Sequence, residues 1–357
     1  MKMGFFKNKK QIWILMVFLL LFGCGQKKED PEFSIVIPEE NKEESTEGQV
    51  SESQVSEEEE YKKLDVNVGL TYDCSVIACA HIMDKSEKGD QTNENYKFTF
   101  YDTAEEVSNA FEKGDINAAV VSADRAACLY AKEKCVAVTP LATCNYHLVT
   151  YGEKGLTDIT KIPEGLVSMV RGDELAEIII NEISDESEDI SEPIKIEKID
   201  SYKALVEGLK NGKVECAVIP EPYISLAIAE DENITSCIDL YDLWDELTGT
   251  KLYTSMLVAK LSVAEDEEDR IRIKSDFDNS VRMANARENL DQTAEIALSY
   301  MKEGDVAAFK ASIPGCSLVR NTPKPFGEEL TKLYTKLYDQ DPQSIGGTIP
   351  AKDFCLS

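Results

Sequence analysis

Acidic side chains recur at the points where apolar, strand-like runs end. Asp73, Asp124, Asp173 and Glu221 each stand in a short polar turn between such a run and a helix-like segment. In open α/β sheets, the turns at the carboxyl ends of the strands form the ligand crevice. These carboxylates would suit a cationic or hydroxyl-rich solute, but each could instead cap the helix that follows it. The sequence leaves both roles open.

Other side chains in the same turns suit a planar or acidic ligand. Arg171 offers a guanidinium, and Tyr72 and Tyr223 offer ring faces. Backbone N–H groups at the helix starts are available for an acidic group. The candidate ligand-binding residues are Tyr72, Asp73, Ser122, Asp124, Arg171, Gly172, Asp173, Glu221 and Tyr223.

An internal repeat positions these turns. Residues 110–130 and 208–228 align without a gap, each passing from a helix end through a Gly to a short strand and a polar turn. The match extends upstream to the strand-like residues 97–102 and 195–200. Two copies of a strand, helix, strand, helix unit predict two similar α/β lobes. If the repeats are equivalent, their strand-end turns must face each other across the gap between the lobes.

The first 24 residues have the layout of a secretory signal. Residues 1–10 are basic and residues 11–20 almost wholly apolar, a core too short for an ordinary membrane span. Leu-Phe-Gly-Cys at residues 21–24 resembles the lipobox of bacterial lipoproteins, in which cleavage leaves the Cys as a lipidated N-terminus. We therefore expect residues 1–23 to be a signal peptide, and Cys24 to anchor the protein on the outer side of the cell membrane.

The next segment, residues 24–63, is dominated by Glu, Ser, Lys and Gln and cannot bury enough apolar surface to fold. We expect an acidic, disordered tether. The whole chain has 67 acidic and 38 basic residues and a net charge of -29. Such a surface repels nucleic acid, which excludes a nucleic-acid partner.

Cysteine and histidine usage gives little support for a metal site or an enzyme. Nine cysteines remain after Cys24, without a Cys-x-x-Cys pair, and several lie in apolar segments, where Cys packs as a small hydrophobe. The two histidines, His81 and His147, lie in an apolar helix and a strand. The sequence has neither a Gly-x-Ser-x-Gly elbow nor a phosphate-binding Gly-rich loop. We expect no cofactor, no metal and no catalytic activity.

The coarse order of elements predicts how the lobes divide the chain. We assign residues 64–150 and 252–357 to the first lobe and residues 151–251 to the second. Residues 251–259 form a strand that returns the chain to the first lobe. Apolar spacing predicts four helices after it, which we expect to pack on the first lobe, at residues 268–287, 290–302, 306–313 and 326–339.

Taken together, the pattern resembles the extracytoplasmic solute-binding lipoproteins of ABC importers. The resemblance rests on the lipobox, the acidic tether, Asp-Val-Asn-Val-Gly-Leu at 65–70, the two Gly-x-[Ile/Val] units and Ile-Pro-Glu-Pro at 219–222. The group that binds sulfonates, nitrate, taurine and thiamine precursors is the most similar. It implies a type II periplasmic-binding-protein fold, in which two α/β lobes joined by two hinge strands close on a small-molecule solute. It also implies an ABC permease with its ATPase as partners, and a monomer.

One position departs from this group. Its sulfonate-binding members usually have Ser or Thr after the Gly that opens the second-lobe helix, whereas this chain has Asp173. A carboxylate there would repel an anion, so a role as helix cap is the better interpretation. A ligand-sensing receptor domain on the same fold would share every cleft feature and stays open as an alternative, while an exported enzyme is the weaker one.

Overall fold

The computed structural model describes residues 61–152, 155–301, 303–322 and 324–355. The predicted signal peptide, Cys24 and all but the last residues of the predicted tether lie outside the described residues. Within the described ranges, no helix combines the length and apolar character needed to cross a bilayer.

The first of two five-stranded sheets is mixed. Its strands lie in the order β2 (Asn95–Tyr101), β1 (Asp65–Thr71), β3 (Ala118–Val121), β10 (Tyr253–Lys260) and β4 (Cys135–Thr143). β1 is parallel to β2 and β3, whereas β10 is antiparallel to both of its neighbours. Val66, Val68 and Leu70 of β1 lie on one face of the sheet and are fully buried, as expected for a face covered by helices.

The second sheet repeats this arrangement. Its order is β7 (Lys195–Ile199), β6 (Leu166–Val170), β8 (Ala217–Pro220), β5 (Tyr146–Tyr151) and β9 (Ile234–Asp239). β6 is parallel to β7 and β8, and β5 is antiparallel to β8 and β9. The two similar α/β lobes predicted from the repeat are therefore confirmed.

The position of β5 corrects one predicted boundary. The sequence pattern assigns residues up to 150 to the first lobe, but β5 pairs with β8 and β9 in the second sheet. The chain therefore crosses between the sheets at residues 144–145, and it crosses back just before β10. An apolar strand fits the middle of either sheet equally well, so its periodicity did not reveal the sheet to which it belongs.

Twelve α-helices lie within the described residues. They are α1 (Cys74–Lys88), α2 (Ala104–Lys113), α3 (Ala123–Lys132), α4 (Glu174–Glu186), α5 (Tyr202–Lys210), α6 (Tyr223–Glu230), α7 (Leu240–Thr248), α8 (Leu261–Ala264), α9 (Glu267–Ala284), α10 (Leu290–Met301), α11 (Val306–Ser312) and α12 (Phe326–Gln340). α1, α3, α4 and α6 each begin just after a parallel strand ends. Their N-termini therefore gather at the carboxyl edges of the two sheets, where ligands bind in open α/β folds.

The four predicted C-terminal helices are present as α9 to α12. α9 and α10 pack on α1 of the first lobe, where Ile82, Phe277 and Ala294 share one buried apolar cluster. α11 and α12 also contact the second lobe. α11 packs against α6, and Lys336 of α12 lies 2.6 Å from Glu182 of α4.

An apolar cluster runs through both lobes near the two crossings. It contains Val121 and Met256 of the first sheet, Leu148 and Val218 of the second, and the fully buried Trp244 of α7. The lobes are thus in direct contact beside the two chain crossings. The cysteines follow the predicted core role, since six of the nine in the described residues are buried, all as free thiols.

Candidate ligand-binding site between the two lobes

The turns after β1 and β8 touch directly across the two lobes. The hydroxyl of Tyr223 donates a hydrogen bond to the backbone carbonyl oxygen of Tyr72. The Cys74 thiol donates to the carbonyl oxygen of Glu221 at 3.0 Å, and the side-chain amide of Asn145 donates to the Cys74 sulfur at 2.8 Å. The starts of α1 and α6 therefore close one half of the cleft.

Glu221 is enclosed at this contact. Its side chain accepts hydrogen bonds from the backbone N–H of Ser225 at 3.2 Å and from the Ser225 hydroxyl at 2.8 Å. Gly315 packs against it so closely that an added Cβ would lie 2.7 Å from Oε1. Burial raises the pKa of Glu221 to about 7, although the Ser225 hydrogen bonds favour the charged form.

Asp173 caps α4 and also organises two tyrosines. Its carboxylate accepts from the backbone N–H of Ala176 at 3.1 Å, which confirms the cap interpretation. It also accepts from the hydroxyls of Tyr146 at 2.8 Å and Tyr202 at 3.0 Å. Burial raises the pKa of Asp173, while these three hydrogen bonds oppose the shift. Tyr202 in turn stacks on Tyr223, with ring centroids 4.1 Å apart.

Tyr146, Tyr202 and Asn145 are site residues that the sequence did not single out. Tyr146 opens β5 and Tyr202 follows the Ser201 cap of α5, so both stand at element boundaries near the predicted turns. Their position at these boundaries was the feature of the sequence that could have identified them as site residues. The contacts of Tyr146 and Tyr202 with Asp173 depend on how β5, α5 and the start of α4 come together in the second lobe, which sequence spacing does not show.

α3 and α4, the helices that follow β3 and β6, line a cavity of about 630 Å³. Its walls come from α3, from the length of α4, from Pro193 and Ile194 before β7, and from the end of α12 with the following turn, Pro342–Ile345. Arg125 of α3 forms an ion pair with Glu174 of α4 at this cavity. The volume lies in the range of small-molecule sites, about 300–1,000 Å³.

Asp124 is the most deeply buried charged group of this cavity. The residue is 3% exposed, and its Oδ1 has no hydrogen-bond partner within the described residues. Burial raises the pKa of Asp124, while the Ser122 hydroxyl and the neighbouring Arg125 favour the charged form. The buried Oε1 of Gln340, which also lines the cavity, likewise lacks a partner in the described part of the chain.

The remaining predicted residues have varied positions. Asp73 caps α1 through Ser75 N–H at 2.7 Å, and Ser122 is the N-cap residue of α3 but makes no side-chain cap bond. Gly172 has a φ of 86°, a left-handed conformation that favours glycine. Arg171 lies on the surface, where its Nε is 3.3 Å from Asp200.

The two histidines lie outside these contacts. His81 bonds Thr293 in the first lobe at 2.8 Å, and His147 bonds Ser236 in the second at 3.1 Å. Burial lowers the pKa of both imidazoles. Within the described residues, no three His, Cys, Asp or Glu side chains are grouped so as to hold a metal ion.

Comparison with known proteins gives matches at the level of structure. No protein-family model and no curated protein sequence matches the chain. An ABC transporter from Parabacteroides distasonis is 18% identical with a TM-score of 0.65, covering 82% of this chain and 98% of its own. The fold is that of the type II periplasmic-binding proteins.

Two further solved structures share this fold. The periplasmic aliphatic sulphonate-binding protein SsuA from Escherichia coli is 12% identical with a TM-score of 0.62, covering 82% of this chain and 96% of its own. The ligand-binding component of an ABC-type import system from Staphylococcus aureus, solved with zinc bound, is 11% identical with a TM-score of 0.61 and covers 83% of this chain and 97% of its own. The fold predicted from the resemblance is therefore confirmed.

Proposed function

We propose that this protein is the solute-binding component of an ABC-type importer, which captures a small molecule between its two lobes and delivers it to a permease. The observation that carries the proposal is the 630 Å³ cavity between α3 and α4, because these helices follow parallel strands of different sheets. A ligand there contacts both lobes at once. The fold shared with the ligand-binding component of an ABC-type import system and with a sulphonate-binding protein supports the same role.

In this proposal the two halves of the cleft have different tasks. Asp124 lines the cavity and contacts the solute. Ser122, Gly172 and Asp173 stand at the starts of α3 and α4, where they position the helices that line it. Tyr72, Asp73, Glu221 and Tyr223 form the half in which the lobes already touch. The two chain crossings act as the hinge, because a few residues between rigid lobes can absorb the rotation that admits the solute.

The test is a thermal-shift screen of the full chain in detergent against a library of sulfonates, amino acids, pyrimidines and amines. A ligand that binds only the folded form raises the melting temperature. Asn181→Trp places a bulky ring in the cavity wall formed by α4 and should abolish the response. Lys203→Trp on the exposed face of α5 is the matched control. A response that survives Asn181→Trp would put the site elsewhere, and a screen without any response would count against solute binding.

Membrane anchoring through Cys24 completes the proposal, with residues 25–63 as the tether. A diacylglyceryl group with a second acyl chain buries enough CH2 groups for stable attachment. Cys24→Ala should move the protein from the membrane fraction to the soluble fraction, or leave it unprocessed. Normal maturation and anchoring of this variant would disprove the lipidation. Loss of solute uptake on deletion of the gene would separate import from the receptor alternative.

A further inference from the structure

We infer that the solute of the cavity between α3 and α4 is an organic cation that carries N–H donors, such as a primary amine or a guanidinium compound. This inference rests on the proposed solute-binding function. It names the chemical class that the cavity recognises, and three features of the cavity wall support it.

The first feature is the buried carboxylate of Asp124, one oxygen of which lacks a hydrogen-bond partner among the described residues. A buried charge without a partner is strongly unfavourable, and such charges in proteins are normally paired or hydrogen-bonded. The Oδ1 of Asp124 is buried in the cavity wall and lacks a donor within the described residues. A ligand N–H group carrying positive charge would supply the missing hydrogen bond and add to the positive charge of Arg125, which Asp124 shares with Glu174.

The second feature is a second acceptor in the same wall. The side-chain nitrogen of Gln340 donates to the backbone carbonyl oxygen of Ile178 at 3.4 Å, which fixes the amide. Its Oε1 is then left buried without a donor among the described residues. Two unsatisfied acceptors, one on α3 and one at the end of α12, match a ligand with several N–H groups.

The third feature is the charge of the remaining wall. Arg125 is ion-paired with Glu174, and Glu177 is paired with Lys198 at 2.6 Å. Asp185 and Asp341 add further negative charge to the lining. The net charge of the cavity wall is therefore negative, and a negative wall attracts a cation and repels a sulfonate or nitrate. A cavity of about 630 Å³ also exceeds what a single bound ion would fill, so the cation is an organic one.

The experiment is calorimetry on the full chain in detergent with putrescine, agmatine and arginine. Choline serves as a cation without N–H donors, and methanesulfonate and nitrate serve as anions. The variants are Asp124→Asn, Gln340→Leu and, as a matched control, Asp339→Asn. Asp339 is an exposed acid next to Gln340 outside the cavity wall, so its variant removes the same charge from the same helix.

We expect at least one of the N–H cations to bind and choline to bind more weakly. Asp124→Asn should weaken that binding on the order of 10- to 100-fold, and Gln340→Leu by less, because hydrogen bonds to neutral acceptors are weaker than those to charged ones. Asp339→Asn should bind like the wild type. Asp124→Asn should also melt at a higher temperature than the wild type without ligand, which shows that a loss of binding does not reflect unfolding.

Three results would overturn the inference. Amine binding that Asp124→Asn leaves unchanged would remove Asp124 from recognition. Binding of the anions but not of the amines would reverse the ligand class and leave the proposed solute-binding function intact. A lack of response to every compound here and in the thermal-shift screen would count against both.

Discussion

Replacement of Glu221 by Gln tests whether a buried carboxyl at the lobe contact makes the fold sensitive to pH. The pKa of Glu221 is about 7 in the folded protein, against 4.5 for an ordinary Glu. Below pH 4.5 the group is neutral in both states. As the pH rises from 4.5 to 7, the unfolded chain releases the proton while the folded protein retains it, so the free energy of unfolding falls. Above pH 7 both states are ionised and the loss is constant.

The size of the effect follows from the two pKa values. Ionisation of Glu221 lowers the free energy of unfolding by about 1 kcal/mol at pH 5 and about 3 kcal/mol at pH 8. Gln is uncharged at every pH, but its single acceptor oxygen cannot keep both hydrogen bonds from Ser225. The loss of one of them should lower the free energy of unfolding by about 1 kcal/mol at every pH. The Glu221→Gln protein should therefore have nearly the same free energy of unfolding as the wild type at pH 5. At pH 8 it should be about 2 kcal/mol more stable than the wild type.

Urea unfolding of both proteins at pH 5 and pH 8 measures this difference. Glu207→Gln, which changes an exposed acid on α5, is the control and should show no comparable dependence on pH. If the effect of Glu221→Gln were the same at both pH values, the carboxyl would have an ordinary pKa and the burial argument would be wrong.

Two substitutions test the packing. Tyr223→Phe removes the hydrogen bond to the Tyr72 carbonyl but keeps the ring stack, so chemical denaturation should show a loss of about 1 kcal/mol in the free energy of unfolding. The control Tyr151→Phe, at an exposed tyrosine, should show almost no loss. Equal losses in the two variants would mean that the lobe contact contributes nothing to stability. Gly69→Ala would place its Cβ 2.4 Å from Ile116 Cδ1 and should lower the melting temperature, with a loss of about 1–3 kcal/mol. Adding Ile116→Val removes that methyl group and should restore part of the loss; failure to do so would disprove the clash.

Local signals predicted the elements and caps well. The repeat predicted two equivalent sheets because Gly, small and β-branched residues occupy matching positions in both copies. The caps at Asp73 and Asp173 follow from an acid placed directly before an apolar helix, and the structure shows both. These features depend on neighbours within a few residues, which is the range that sequence patterns report.

Features that join distant parts of the chain were not predictable in the same way. The cavity wall combines Asp124 with Gln340, and the Asp173 contact combines Tyr146 with Tyr202. Each pairing brings together elements that are far apart in the sequence, α3 with α12 in the first case and β5 with α5 in the second. The surface position of Arg171 also depends on tertiary contacts, because its partner Asp200 is brought close only by the pairing of β6 with β7.

The pairs of helices that contact each other across the cleft suit an origin of the site by duplication of one lobe. The matching sheet orders make α1 the counterpart of α4, and α3 the counterpart of α6. Across the cleft, α1 meets α6 through Cys74 and Glu221, and α3 meets α4 through Arg125 and Glu174. α1 therefore contacts the counterpart of α3, and α3 contacts the counterpart of α1. This reciprocal arrangement is the isologous pattern of a two-fold dimer. A duplicated ancestral lobe that paired with its own copy would have had two identical half-sites. In this chain the two halves differ, because the half at α1 and α6 holds direct contacts between the lobes and the half at α3 and α4 borders the cavity.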